Sequence, residues 1–134
     1  MAIDLTPLHK AVARLDVALT RYLGDPSDEE VRDSVIQRFE FTYDLSHKML
    51  RRVLAATSAD AEAVAQMTFP DLIRTGWEQG LVANGWPTWH DYRDMRNITS
   101  HTYDTDNAIQ VVGKVPAFLE EARILSERLE RRAA

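Results

Sequence analysis

The stretch VRDSVIQRFEFTYDLSHKMLRRVL, residues 31–54, decides the fold. Val31, Val35, Phe39, Leu45, Met49, Leu50, Val53 and Leu54 recur along it as the apolar stripe of a helix. The spacing predicts one long helix over about residues 28–56, and no alternation of β period is sustained anywhere in the chain.

The same period continues on both sides. Thr6-Pro7 reads as an N-cap and first-turn proline, and Leu8, Val12, Leu15, Leu19 and Leu23 then predict a helix from about 7 to 23. Gly24-Asp25-Pro26-Ser27 is a turn, with Ser27 and Glu30 spaced as a capping box. The Ala-rich stretch from Thr57 to Thr68 reads as a short helix or a turn. Thr68-Phe69-Pro70-Asp71 starts a further helix carrying Leu72, Ile73, Trp77 and Leu81, with Asn84-Gly85 as its stop. Pro87-Thr88 opens another, over about 88–102, and Asp104-Thr105-Asp106 caps a last one over about 106–131, with Pro116 inside it as a candidate kink. The expectation is an all-α, up-and-down bundle of four to five helices.

Composition narrows the function. The 134 residues suit a single domain over the whole chain, 1–134, and 45% apolar with 28% charged residues is ordinary for a globular protein. There is no cysteine, which excludes disulfides and thiolate metal sites. No apolar run is long enough for a membrane span, and MAIDLTPLHK lacks the basic and apolar regions of a secretory leader, so a cytoplasmic protein is expected. A net charge of −5 argues against nucleic-acid binding through a generally basic surface, though not through a few clustered arginines.

The segment that carries chemistry is Arg96-Asn97-Ile98-Thr99-Ser100-His101-Thr102-Tyr103. On a helical wheel Arg96 and Tyr103 fall about 20° apart with Ser100 beside them, and Asn97 and His101 about 40° apart. Met95, Ile98 and Thr102 take the opposite side and can face a core. Arg96 and His101 are about 140° apart, so they converge only where the helix ends or bends, or where a second protomer supplies its copy. These residue types suit metal-independent RNA cleavage. Histidine is the side chain that titrates near physiological pH, so His101 can take a proton from a ribose 2′-OH. Arg96 can hold the scissile phosphate in a bidentate grip, and Asn97 can orient the imidazole or the phosphate. One histidine cannot be acid and base in one concerted step, whereas two symmetry-related copies can, which favours a homodimer. The plain alternative is a helix-end histidine acting as a C-terminal donor, with Arg96 reaching an acid such as Asp94.

Three stretches together resemble the HEPN superfamily, and within it the nucleotidyltransferase substrate-binding proteins that include toxins of HEPN/MNT toxin–antitoxin pairs. They are Arg38-Phe39-Glu40-Phe41-Thr42-Tyr43-Asp44-Leu45, the run from Asp71-Leu72-Ile73-Arg74 to Gly80-Leu81-Val82, and Arg96 through Asp104. The resemblance implies a homodimeric helical bundle whose Arg-x4-His-x-Tyr motif falls on Arg96, His101 and Tyr103. It implies metal-independent endoribonuclease activity against cellular RNA, often tRNA, and a partner MNT-type nucleotidyltransferase antitoxin that adenylylates Tyr103. A non-catalytic subunit that docks a minimal nucleotidyltransferase is the other function such a chain can have.

Other residues carry weaker signals. Glu40, and Ser100 beside the motif, are candidates to support Arg96 from behind. Arg74 reads as an exposed helical arginine, and His47 with Lys48, Arg51 and Arg52 as a solvated basic face. Trp77, Trp86, Trp89 and Tyr92 read as core or dimer interface. His9 and His90 show no carboxylate or histidine at ligand spacing, so no metal site and no cofactor are expected.

Overall fold

In a computed structural model, residues 3–134 are described, and they form an all-α bundle: α1 Thr6–Gly24, α2 Glu29–Thr57, α3 Ala61–Ala65, α4 Phe69–Glu78, α5 Trp86–Ile98, a 3-10 turn Thr99–His101, and α6 Thr105–Ala133. No strand occurs among the described residues, and no helix is long and apolar enough to cross a membrane.

The long helix α2 is the axis. It packs against α1 on one side and α6 on the other, with α3, α4 and α5 laid across the remaining faces. Its stripe residues Val35, Phe39, Leu50 and Val53 are fully buried. Phe39 meets Phe118 of α6 edge-on, with ring centroids 4.9 Å apart, and Tyr92 and Trp89 of α5 pack on Phe118 in the same manner. Each such buried aromatic or aliphatic side chain contributes about 1.5–3 kcal/mol. This contact fixes how α5 crosses α2, and so where the end of α5 lies. Helix α6 runs unbroken through Pro116.

Several boundaries differ from the sequence expectation. Asp28 caps α2 by accepting the Val31 N–H at 3.1 Å, so the Ser27–Glu30 box does not form; Ser27 donates back to Asp25 instead. At α1 the capping oxygen belongs to Asp4, which accepts the Thr6 N–H at 2.9 Å. Helix α4 ends at Glu78, well before Asn84-Gly85. Gly80 turns the chain there with φ of +72°, a conformation that glycine adopts without strain. Gly85 is instead the N-cap of α5, which starts at Trp86, two residues ahead of the expected 88, and ends at Ile98 rather than 102. The short α3 is real, capped by Asp60.

The loop between α4 and α5 is held by Glu121 of α6. This carboxylate is 1% exposed; it accepts the Ala83 N–H at 2.7 Å and the Asn84 amide at 3.0 Å. Burial pushes its pKa up, and the two hydrogen bonds oppose the shift. Arg128 donates to the carbonyls of Gly80 and Val82 from the same helix. The start of α5 is thereby tied to α6.

Candidate active site at the end of α5

Met95 is buried and Ile98 and Thr102 are partly buried, as the wheel requires, and their side anchors the segment. Thr99, about 40° from Met95 on the same wheel, is buried with them at 7% exposed, and it opens the 3-10 turn that follows the end of the α-helix at Ile98. Its hydroxyl donates to the Arg96 carbonyl at 2.6 Å and accepts from Arg96 Nη1 at 3.0 Å. Thr99 thus ends the helix and fixes the arginine at once.

Arg96 turns toward α2. Its Nε and Nη2 donate to Asp44 Oδ1 and Oδ2, each at 3.1 Å, and its Nη1 lies 3.4 Å from Glu40 Oε2. The hydrogen bonds that Arg96 donates to Asp44, with the charges of both acids, raise the guanidinium pKa further. The acid Asp94 is not its partner; Asp94 lies 3.4 Å from His90 Nδ1. The edge of Arg96 expected to grip a phosphate in bidentate fashion is occupied by Asp44. One N–H, on Nη2, has no acceptor among the described residues.

His101 and Tyr103 come together beyond the turn, with ring centroids 6.0 Å apart at a steep interplanar angle. The main chain of His101 is fixed: its carbonyl accepts from Asn107 Nδ2 at 3.1 Å and from the Asp104 N–H at 3.2 Å, while Asp104 caps α6. Among the described residues its imidazole makes no hydrogen bond or ion pair. Tyr103 is 87% exposed and lines a cavity of about 260 Å³ with Thr102, Glu40 and Gln37. Asn97 and Ser100 are exposed at the same end. No hydrogen bond joins Arg96 to His101.

The remaining candidates divide. Arg74 pairs with Asp71 at 3.3 Å on an exposed face. His47 is half-buried rather than on an open solvated face: it packs edge-on between Tyr43 and Phe69, and desolvation lowers its pKa. Arg51 is spent on the carbonyls of Val64 and Met67. Trp89 and Tyr92 are core, Trp86 is half-covered with Arg93 over its ring, and Trp77 is 52% exposed. Both histidines expected to lack acidic neighbours have them. His9 meets Glu130 at 2.8 Å across the fold, and His90 lies with Asp91 and Asp94, ligand atoms within 4.8 Å of one another. That trio is exposed and is the one such group among the described residues. Asp44, Thr99 and Asn107 are the site residues that the sequence reading missed. Asp44 lies 52 residues from Arg96, a distance over which periodicity carries no information.

Residues 3–131 match the family described as nucleotidyltransferase substrate binding protein like. A curated relative, the probable ribonuclease HepT of Haemophilus influenzae, is 41% identical over 97 residues, which span 72% of this chain and 66% of the relative. The match therefore covers just under two thirds of that protein. The solved structure of HI0074 from Haemophilus influenzae, described as revealing the fold of a substrate binding domain of a nucleotidyltransferase, superposes with a TM-score of 0.87. It is 32% identical, and the match covers 95% of this chain and 99% of that one.

Proposed function

The chain belongs to the nucleotidyltransferase substrate-binding protein family, and from that premise we propose that it is a HEPN-type endoribonuclease toxin, metal-independent and kept silent by a partner nucleotidyltransferase that adenylylates Tyr103. The observation that carries this reading is the 3-10 turn. It pins the backbone of His101 while leaving the imidazole free, and it places Tyr103 beside it, exposed. A proton-transfer group needs an imidazole that a substrate can reach, and this one is exposed.

In the proposed reaction His101 takes the proton of a ribose 2′-OH. The 2′-oxygen attacks phosphorus, and the bond to the 5′-oxygen breaks. A second His101, from a symmetry-related copy in a homodimer, donates the proton that the leaving 5′-oxygen requires, giving a 2′,3′-cyclic phosphate and a 5′-hydroxyl. Arg96 offsets the charge gathering on the phosphoryl oxygens through its remaining N–H, held in place by Asp44, Thr99 and Glu40. Asn97 and Ser100 supply neutral donors at the same end. The substrate class is cellular RNA, with tRNA the foremost candidate.

Adenylylation of Tyr103 gives control. Its oxygen attacks the α-phosphorus of ATP in the partner's site, and pyrophosphate leaves. The resulting phosphodiester places a negative charge and a purine where RNA would lie. The second reading, a docking subunit without chemistry, draws on the two carboxylates that already occupy Arg96. Expression in a cell separates the two: growth arrest by wild type, relieved by His101→Ala at equal protein level, supports the nuclease. Equal harmlessness of both overturns it.

A further inference from the structure

Arginines held by no carboxylate gather in the groove between α1 and α2. Arg14 and Arg38 line two adjoining cavities there, of about 350 and 220 Å³. Phe41 and Gln37 share the first, and Arg21 and Val17 the second. No Asp or Glu lines either cavity, and among the described residues Arg14, Arg21 and Arg38 form no ion pair. In a chain of net charge −5 this is a local concentration of positive charge. Beside it Phe41 is 60% exposed and Val17 61%.

The groove leads to the motif. Gln37 lines both the first arginine cavity and the cavity that holds Tyr103 and Glu40. Both acids at that junction are accompanied by cations: Asp33 by Arg32 at 3.8 Å, and Glu40 by Arg96 at 3.4 Å. These cations reduce the negative charge at the junction, although Arg96 is shared between Glu40 and Asp44.

We propose that the α1–α2 groove is the binding track for single-stranded RNA, with Arg14, Arg21 and Arg38 on its phosphates and Phe41 stacked on a base. Arg14 and Arg21 stand two turns apart on one face of α1, about 10.5 Å along its axis, so they meet different phosphates. A cationic groove with an exposed aromatic ring is how proteins hold single strands without reading their sequence. The proposal deepens the ribonuclease reading and rests on it for the choice of RNA.

The test is direct binding, by fluorescence anisotropy, of a labelled oligouridylate to His101→Ala protein, where cleavage plays no part. Adding Arg14→Gln and Arg38→Gln together should weaken binding about ten- to thirtyfold at about 0.1 M salt and reduce the slope of log K against log salt by about 1.4. Phe41→Ala should weaken oligouridylate binding at least about fivefold while leaving binding of inorganic polyphosphate as it was. Unchanged affinity and slope in the arginine variant overturn the proposal. So does a change of its sedimentation from dimer to monomer, which would make the groove a protein interface. Purified wild type that leaves RNA intact defeats the nuclease reading, while the same binding losses would still establish the groove.

Discussion

Arg96 grips both carboxylate oxygens of Asp44, Nε to Oδ1 and Nη2 to Oδ2 at 3.1 Å each, and so joins the end of α5 to the middle of α2. The pair does more for position than for stability. The two side chains are 30% and 54% exposed, and pairs of that exposure contribute at most about 1 kcal/mol. Asp44→Asn should therefore change the unfolding free energy by less than about 1 kcal/mol in urea titration. It should lower kcat/KM for RNA roughly tenfold, because the guanidinium loses its fixed direction. Wild-type turnover in this variant would show that the clamp does not orient Arg96 for the reaction.

Tyr103 is 87% exposed and lies outside the set proposed to hold the phosphate. Tyr103→Phe should keep its nuclease activity within about twofold and its melting temperature unchanged, since it loses one solvated hydroxyl. Co-expression with the partner nucleotidyltransferase should no longer rescue growth, and the mass of an adenylyl group should be absent from the purified variant. Full rescue would remove tyrosine modification as the means of control.

His47 provides a pH signature of the fold. Burial against Tyr43 and Phe69, with Arg51, Arg96 and Lys48 nearby, depresses its pKa below the ordinary 6.5, against a smaller opposing pull from Asp44. Below pH 6.5 the unfolded chain binds a proton that the folded chain resists, so the unfolded state gains and stability falls as pH drops through that window. His47→Phe should keep the stack within about 1.5 kcal/mol at pH 7 and flatten the decline as pH falls below about 6.5, measured by thermal unfolding. An undiminished decline would assign it to other groups.

The fold was largely legible in the sequence because it is written in local terms. The stripe from Val31 to Leu54, the Thr68 cap and the Asp104 cap each specify their element within a few residues, and the structure has them there. The end of α4 was not, since Gly80 and Gly85 are equally plausible stops and only the tie from Glu121 and Arg128 distinguishes them. The motif was visible, but its geometry was not. The helix expected to run to about 102 stops at Ile98, so a wheel drawn through residue 103 does not describe how His101 and Tyr103 lie. The partners that hold Arg96 come from α2, and long-range pairing leaves no periodic trace. The same limit hid the α1–α2 arginines, whose meaning lies in the absence of acids around them.

Cleavage of RNA by purified protein in excess EDTA separates a metal-independent nuclease from a docking subunit. The expected products end in 2′,3′-cyclic phosphate and 5′-hydroxyl, and His101→Ala should lose at least about a hundredfold with the same unfolding transition as wild type. Intact RNA with wild type, cleavage that EDTA abolishes, or an undiminished His101→Ala would refute the metal-independent nuclease.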